Sequence, residues 1–224
     1  LFFYFVRKFK ILFTNKLAVK NQKIPLVEFL NSNYSLVIKR EDKLHPDISG
    51  NKYRKLKYNL FEAKQLGKNT VLTFGGAFSN HISAVAAAGK EFNFKTIGVI
   101  RGEELIHKID SNPTLSFAKK CGMNFHFISR EEYRQKTEKG FIENLKNVFG
   151  NFYLVPEGGT NSFAVKGCEE ILTTMDKDFD YICSAVGTGG TLAGLINSSL
   201  SHQFVIGFSA LKGTFQISEI KKYT

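Results

Sequence analysis

Two lysines in the stretch SGNKYRKL have the residue type and spacing for covalent chemistry at a carbonyl group. Lys52 and Lys55 are three positions apart, so both can face one cleft if a helix begins there. A lysine amine attacks carbonyls once burial or a neighbouring cation has lowered its pKa, which makes Lys52 a candidate Schiff-base nucleophile. The simpler interpretation is a solvated lysine in a chain with 31 Lys and Arg residues.

The segment GTGGT lies between an apolar run and a helical pattern. Glycines leave backbone N–H groups unobstructed and threonines add hydroxyls, which together suit a phosphate at a helix N-terminus. A tight strand-to-helix turn would need the same small residues. The dinucleotide fingerprint GxGxxG would need glycine at Leu192, and no GxxxxGK[ST] sequence occurs. The candidate phosphate-binding residues are Gly187, Thr188, Gly189, Gly190 and Thr191.

A third segment, FGGAFSNHISAV, predicts a strand, a glycine turn and then a helix. Ser79 or Asn80 is expected to cap that helix, which is an ordinary structural role for either residue. The ordinary role for His81 is a histidine satisfied by a neighbouring backbone group. These residues acquire functional interest only in combination with the lysines and the glycine loop.

Alternating strand and helix patterns must position these segments. Apolar spacing predicts a helix over residues 52–66 that ends at Gly67. Four strands with intervening helices follow, and this alternation favours a parallel sheet covered by helices. The predicted strands of this series are 70–74, 96–100, 124–128 and 152–155.

Further helices and strands are predicted around and beyond that sheet. Helices are expected near 113–120, at 131–148, from residue 162 to about Thr174, at 190–201 and at 217–223, with strands at 34–40, 181–186 and 204–208. The glycines near 156–160 suggest a change of domain.

Composition narrows the function classes. With 43% hydrophobic residues in regular runs the chain is expected to be globular. The net charge of +11 is spread along the chain and forms no basic stripe, so we predict no nucleic-acid partner. Three cysteines without a CxxC pair, and five histidines without ligand spacing, predict no metal site and fit a reducing cytoplasm. The aromatic segment 1–13 is too short and too charged to span a membrane, and is expected to be an edge segment or sequence upstream of the true start.

The segments SGNKYRKL, FGGAFSNHISAVAAA, VPEGGTN and AVGTGGTLAGL together resemble the 1-aminocyclopropane-1-carboxylate deaminase and D-cysteine desulfhydrase family. This family belongs to the tryptophan-synthase-β-like, fold-type II enzymes that use pyridoxal 5′-phosphate. The resemblance runs from about residue 20 to 212, in the family's order and spacing. It implies an α/β fold of two open, twisted parallel-sheet domains with the cofactor in the cleft between them.

The resemblance also implies roles for individual residues. Lys52 matches the lysine that binds the cofactor covalently, and Lys55 matches a lysine that contacts its phosphate. Ser79 and Asn80 match a pair that holds the substrate carboxylate and contacts the cofactor ring. Lys52 and Ser79 are thus the catalytic candidates, Asn80 a cofactor-binding one, and Ser79, Asn80 and His81 the substrate-binding ones.

His81 bears on the choice of reaction. Family members that open the cyclopropane ring typically have glutamine at this position, whereas desulfhydrase-like members read Ser-Asn-His, as here. We therefore expect β-elimination from D-cysteine to pyruvate, ammonia and sulfide, with the Lys52 amine as the base. The alternatives are deamination of 1-aminocyclopropane-1-carboxylate to 2-oxobutanoate and ammonia, or an inactive truncated remnant.

Domain limits and assembly follow from the same resemblance. We expect a larger cofactor domain formed by residues 1–51 and 159–224, and a smaller α/β domain formed by 52–158. Family members continue beyond the segment matching 208–223, so the sequence is expected to be C-terminally truncated, with apolar surface exposed on the larger sheet. The expected partner is a small amino-acid substrate, and no membrane partner is expected. The resemblance also implies a possible homodimer.

Overall fold

The computed structural model describes residues 19–25 and 34–224. The expected N-terminal edge segment 1–13 lies outside the described residues. Eight strands are present in the described part: β1 Asn21–Ile24, β2 Leu36–Lys39, β3 Thr70–Gly75, β4 Lys95–Arg101, β5 Asn124–Ile128, β6 Tyr153–Val155, β7 Tyr181–Val186 and β8 Phe204–Ser209. The α-helices there are α1 Asn51–Gln65, α2 Asn80–Phe92, α3 Pro113–Lys120, α4 Lys139–Phe149, α5 Ser162–Cys168, α6 Gly190–Ser198 and α7 Phe215–Lys221.

A four-stranded parallel sheet forms the centre of the fold. Its strand order is β5-β4-β3-β6, and β3 pairs with both β4 and β6. Both inner strands are buried along most of their length, which explains why they read as continuous apolar runs and not as alternating ones. The predicted parallel, helix-covered sheet is confirmed.

Each face of this sheet has its own apolar core. Helices α1, α2 and α3 cover one face, and buried side chains such as Leu56, Val85 and Leu115 pack there. Helix α4 covers the other face, where Leu145 packs with Phe74 and other residues of the strands. The active edge of such a sheet is where the strands end at their carboxyl termini, because the following turns converge there.

A second parallel sheet consists of β7 and β8. Cys168 of α5 and Leu195 of α6 pack beneath one of its faces. The other face exposes aromatic rings: Tyr181 and Phe204 stack with their centroids 5.6 Å apart, and Phe208 is 60% exposed. The apolar surface expected on this sheet is therefore present.

One carboxylate, that of Asp176, bonds to both strands of the antiparallel pair β1 and β2. Asp176 accepts hydrogen bonds from Asn21 Nδ2 at 2.9 Å and Lys39 Nζ at 2.6 Å, and its carboxylate also caps the turn that begins after Thr173. These bonds hold the pKa of Asp176 below its ordinary value in spite of partial burial. None of the helices in the described part of the chain has the length and apolar character needed to span a bilayer.

Two predicted helices are wrong in extent. The charged helix expected at 131–148 is divided into a 3-10 turn, Glu132–Gln135, and helix α4. Glu138 between them is extended, with φ −76° and ψ 137°. The residues from 134 to 140 include no large apolar side chain, so a continuous helix there would gain no burial.

The helix expected to reach Thr174 ends at Cys168 instead. Thr173 adopts an extended conformation, with φ −133° and ψ 177°, and starts a separate turn over Thr174–Asp176. The Thr173 hydroxyl and the Asp176 carboxylate form a reciprocal capping box, and this local bonding competes with helix continuation.

Helix α1 carries both site lysines and packs very closely on α5. A Cβ atom added at Gly167 would lie 2.0 Å from the backbone oxygen of Arg54, which no real contact allows. Glycine at this position is therefore a requirement of the helix–helix approach. The approach in turn sets where the first turn of α1 lies.

Replacing Gly167 by alanine is expected to destabilise the protein by about 1–3 kcal/mol, because α1 and α5 must move apart. Chemical denaturation would measure the free energy of unfolding. Gly140→Ala is the matched control, since Gly140 is an exposed residue of α4 whose added Cβ would contact nothing within 4 Å. That change should be neutral or stabilising by up to about 1 kcal/mol. Equal effects of the two changes would contradict the close-contact explanation.

Candidate functional site

The amines of Lys52 and Lys55 meet at one backbone oxygen. Lys52 Nζ donates to the carbonyl of Gly158 at 3.2 Å, and Lys55 Nζ donates to the same oxygen at 3.1 Å. The two lysines lie one turn apart on α1, which begins after Gly50 with φ 56°. The spacing that made both residues candidates for one cleft thus brings them to one acceptor.

Two threonines complete the surroundings of Lys55. Its Nζ donates to Thr160 Oγ1 at 3.0 Å and lies 3.5 Å from Thr188 Oγ1. The two hydroxyls are hydrogen-bonded to each other at 2.6 Å. Lys55 is only 2% exposed, so this ammonium group is bound by uncharged oxygens inside the protein.

The GTGGT segment forms the turn between β7 and α6. Gly189 precedes the first residue of the helix and has φ 87°, and Gly190 is the first helical residue. Thr191 Oγ1 accepts from Asn51 Nδ2 of α1 at 2.7 Å, while Gly187 is exposed. Thr188 and Thr191 therefore both face the start of α1, and the free N–H groups of the α6 N-terminus lie between them along the chain.

The electrostatics of this cluster favour an anion. Burial lowers the pKa of Lys52, and burial together with the charge of Lys52 lowers the pKa of Lys55 to about 7. Within residues 19–25 and 34–224, neither amine forms an ion pair with a carboxylate. Cys168 lies nearby, but burial raises the pKa of its thiol and keeps it neutral. Lys55 is buried and Lys52 is partly buried, both have depressed pKa values, and neither has a carboxylate partner within the described residues, so a bound anion would stabilise both.

The turn that supplies the shared carbonyl follows β6 and spans 156–160. Gly158 has φ 67°, and a Cβ atom there would lie 2.7 Å from Thr188 Cγ2. Glu157 is held from the side by Tyr133, whose hydroxyl donates to its Oε1 at 2.8 Å, and by Lys136 Nζ at 3.4 Å. The turn is thus fixed between two other elements.

Sequence reasoning did not assign a role to three of these groups. They are the Gly158 carbonyl, the Thr160 hydroxyl and the Asn51 amide. VPEGGTN was noted as a motif, but a backbone oxygen leaves no side-chain signature. Its only trace is the glycine pair, which indicates a turn and not a contact.

Ser79 and Asn80 stand at the N-terminus of α2. Ser79 is the capping residue, since its Oγ accepts from the backbone N–H of Ile82 at 3.3 Å. Asn80 is the first helical residue and is exposed. The backbone N–H groups of Asn80 and His81 have no partner within the helix, because helical bonds reach back four residues.

The side chain of His81 points away from that helix end into the core. The residue is 2% exposed, and its Nε2 lies 2.8 Å from Thr73 Oγ1 on β3. Its other nitrogen, Nδ1, has no hydrogen-bond partner of regular geometry within the described residues. Burial and the charges of Lys52 and Lys55 lower the pKa of His81 well below its ordinary value, against a smaller opposing effect of the Pro156 backbone.

His81 links the helix end to the lysine pair. Its ring borders Gly159, where an added Cβ would lie 2.9 Å from Cε1 and 3.2 Å from Nδ1. Gly159 directly follows the residue whose carbonyl binds both lysines. The His81 ring therefore connects the N-terminus of α2 to the turn that binds the lysines, and the roles of the predicted residues stay predictions. In the described part of the chain, no group of His, Cys, Asp and Glu side chains has the arrangement of a metal site.

Comparison with known proteins identifies relatives of this chain. A family model described as "Pyridoxal-phosphate dependent enzyme" matches residues 20–204. A mitochondrial protein of Arabidopsis thaliana, named bifunctional D-cysteine desulfhydrase/1-aminocyclopropane-1-carboxylate deaminase, is 34% identical over an alignment of 183 residues that covers 74% of this chain and 45% of that protein. A relative from Thermotoga maritima is 33% identical over 188 residues, covering 80% of this chain and 59% of its own length.

A solved structure supports the same relationship. The crystal structure described as an ACC deaminase homologue matches with a TM-score of 0.74 and 26% identity, over 96% of this chain and 70% of that chain. The chain spans about half the length of the curated relatives it matches.

The buried position of Lys55 predicts a pH dependence of stability. Its pKa is about 7 in the folded protein and 10.5 when exposed, so between these values the unfolded chain binds more protons at this site. The free energy of unfolding should therefore rise with pH across this window, at no more than about 1.4 kcal/mol per pH unit.

Denaturation of the cofactor-free protein and of its Lys55→Met variant, from pH 7 to 9.5, would measure this contribution. The variant should show the smaller slope, because methionine fills the space without a titrating group. Parallel curves for the two proteins would show that Lys55 is charged throughout and would contradict its assigned pKa.

Proposed function

Because the chain belongs to the pyridoxal-phosphate-dependent enzyme family, we propose that it acts as a lyase or deaminase on a small amino acid, with D-cysteine as the leading substrate. The observation that carries this proposal is the convergence of Lys52 and Lys55 on the Gly158 carbonyl, beside the GTGGT turn. A candidate covalent anchor and a candidate phosphate site are thereby adjacent. The cofactor of the family is pyridoxal 5′-phosphate.

The residues around Lys55 fit the phosphate group of that cofactor. A phosphate at the N-terminus of α6 would be stabilised by free backbone N–H groups and the helix dipole. Lys55 and the Thr188 hydroxyl lie at the same turn and can donate to phosphate oxygens. A phosphate would also supply negative charge beside both lysines, and would restore the pKa of Lys55 toward its ordinary value.

Lys52 is the proposed covalent anchor. Its lowered pKa increases the fraction of free amine at neutral pH, and the free amine is the form that attacks an aldehyde. When bound, the cofactor supplies an electron-withdrawing ring that stabilises negative charge at the substrate α-carbon. The Lys52 amine, released when substrate binds, is then the proposed base that takes up the α-proton.

The N-terminus of α2 is the proposed site for the substrate carboxylate. The Ser79 hydroxyl and the exposed Asn80 side chain flank two backbone N–H groups that lack helical partners. The backbone of His81 can donate to the carboxylate there, while its side chain remains in the core. Ser79 is the second proposed catalytic residue, by the family resemblance, and its hydroxyl caps this helix end.

Which of two reactions the protein catalyses depends on the side chains that surround the cofactor. β-Elimination from D-cysteine needs a base for the α-proton, which Lys52 provides. The second candidate is ring opening of 1-aminocyclopropane-1-carboxylate, which has no removable α-proton and needs a nucleophile or acid. The name of the Arabidopsis relative includes both activities, and this supports treating them as the two candidates.

The division into lobes is part of the proposal. The lobe of 52–158 contains the four-stranded sheet, and the lobe formed by 1–51 and 159–224 contains the β7–β8 sheet. Contacts between Lys55 of the first lobe and Thr160 and Thr188 of the second support a site at their boundary. A homodimer and a cytoplasmic location stay predictions.

Replacing Lys52 by alanine should abolish covalent cofactor binding. The purified protein mixed with pyridoxal 5′-phosphate is expected to absorb visible light and to retain the cofactor after borohydride reduction and dialysis, whereas the variant should do neither. Lys57→Ala is the matched control, because Lys57 is on the same helix but binds Glu170 away from the cluster. Equal retention in the Lys52 variant would identify another lysine as the anchor.

The phosphate role of Lys55 predicts a selective loss of affinity. Lys55→Met should weaken binding of pyridoxal 5′-phosphate by about tenfold or more, because a buried charge-assisted hydrogen bond is lost. Binding of pyridoxal, which has the aldehyde but no phosphate, should change little. Titration followed by absorbance measures both, and an equal loss for both ligands would contradict a phosphate-specific role.

Substrate preference can be measured directly on the cofactor-loaded protein. Sulfide and pyruvate release from D-cysteine should exceed 2-oxobutanoate release from 1-aminocyclopropane-1-carboxylate. L-Cysteine provides the stereochemical control. Faster 2-oxobutanoate release would favour the second candidate, and no product from either compound would remove the proposed activity.

A further inference from the structure

The hydrogen bonds of Thr73 determine which nitrogen of His81 carries a proton. Thr73 Oγ1 donates its single hydrogen to the backbone carbonyl of Val155 at 2.9 Å. The same oxygen lies 2.8 Å from His81 Nε2 and can only accept there. Both bonds of Thr73 form together only when His81 carries its proton on Nε2. The Nδ1–H form would use the Pro156 backbone as its acceptor and would leave Thr73 with one hydrogen for two acceptors, so the contacts of Thr73 favour the Nε2–H form.

The side of the ring that bears Nδ1 faces the turn after β6. An added Cβ at Gly159 would lie 3.2 Å from Nδ1 and 2.9 Å from Cε1, so the glycine backbone packs directly on this edge. Gly159 has φ 71°, and its N–H donates to Pro156 O at 2.8 Å within the turn. The Gly159 N–H is therefore already bonded, and Nδ1 has no partner of regular geometry within the described residues.

The opposite side of the same turn holds the lysines. The carbonyl of Gly158 accepts from Lys52 and Lys55. Thr188 packs against Gly158 so closely that a Cβ atom added there would lie 2.7 Å from Thr188 Cγ2. Val155, which accepts from Thr73, is the last residue of β6 and leads into the turn. One threonine thus bonds both to the strand that enters the turn and to the ring beneath it.

We propose that Thr73 fixes His81 as the neutral Nε2–H form, and that this ring positions the Gly158–Gly159 turn so that its carbonyl orients Lys52. The proposal rests on the proposed function, in which Lys52 is the covalent anchor. His81 acts here as a positioning residue, through the backbone of Gly159. The neutral ring fits its surroundings, since burial and the nearby charges of Lys52 and Lys55 disfavour an imidazolium.

Replacements of His81 and Thr73 can either keep or remove the hydrogen bond between the two side chains. Glutamine can offer an amide N–H to Thr73 in place of Nε2–H, while leucine has similar bulk and no donor. Thr73→Ser retains the hydroxyl, whereas Thr73→Val has nearly the same shape and removes the acceptor. These four variants separate the hydrogen bond from simple packing.

Nitrogen NMR of the cofactor-free protein tests the first half of the proposal. His81 should show a pyrrole-type shift at Nε2 and a pyridine-type shift at Nδ1, unchanged across neutral pH. Thr73→Val should produce a mixture of tautomers, and Thr73→Ser should not. A pyrrole-type Nδ1 or a protonated ring in the unmodified protein would overturn the assignment, independently of the result of the cofactor-attachment experiment.

The rate of borohydride-trapped attachment of pyridoxal 5′-phosphate at Lys52 tests the second half. Thr73→Val and His81→Leu should slow attachment about tenfold, as expected for loss of one buried hydrogen bond. Thr73→Ser should match the unmodified protein, and His81→Gln should retain most of the rate. The final extent of labelling should be equal in all of them, because Lys52 is present.

The outcomes separate the two proposals. If the unmodified protein never attaches the cofactor, the proposed function fails, while the tautomer measurement still decides the state of His81. If the unmodified protein attaches it and Thr73→Val and His81→Leu, folded by circular dichroism, do so equally fast, the positioning role is wrong. Equal slowing by leucine and glutamine would assign the effect to packing alone.

Discussion

The constraint on which this structure depends is that two lysine amines, one buried and one partly buried, share a single carbonyl oxygen. Lys52 and Lys55 both donate to Gly158, and the described residues place no carboxylate in contact with either amine. Like charges so close in a buried region are unfavourable unless they lose protons or acquire an anion. A phosphorylated aldehyde meets both requirements, since its phosphate supplies charge and its carbonyl reacts with a free amine.

The fold holds that carbonyl from several directions. Strand β6 leads into the turn at the carboxyl edge of the parallel sheet, where the neighbouring strands also end. Tyr133 holds Glu157 from one side, and the His81 ring lies under Gly159. The approach of α1 to α5 at Gly167 sets the position of the lysines relative to the turn. Segments that are distant in sequence therefore meet at one atom, the carbonyl oxygen of Gly158.

The sequence predicted the parts of this arrangement that depend on side-chain type and period. Alternating strands and helices gave the parallel sheet, and the lysine spacing gave a shared helix face. It missed what depends on backbone atoms or burial: the Gly158 carbonyl has no side-chain signal, and the local sequence does not show that His81 is buried against Thr73 of the preceding strand β3. The helix predicted at 131–148 was too long because charge and periodicity do not show where a helix loses its apolar contacts. The helix predicted to reach Thr174 was too long because the bonds between Thr173 and Asp176 start a separate turn.

Peptide mapping after reduction is the most direct test of the central claim. The unmodified protein is incubated with pyridoxal 5′-phosphate, reduced with borohydride, digested and sequenced by mass spectrometry. If the cluster is the cofactor site, a single pyridoxyl group should be found on Lys52, and added inorganic phosphate should slow its attachment. Label spread over exposed lysines, unaffected by phosphate, would show that the buried pair at Gly158 does not bind the cofactor.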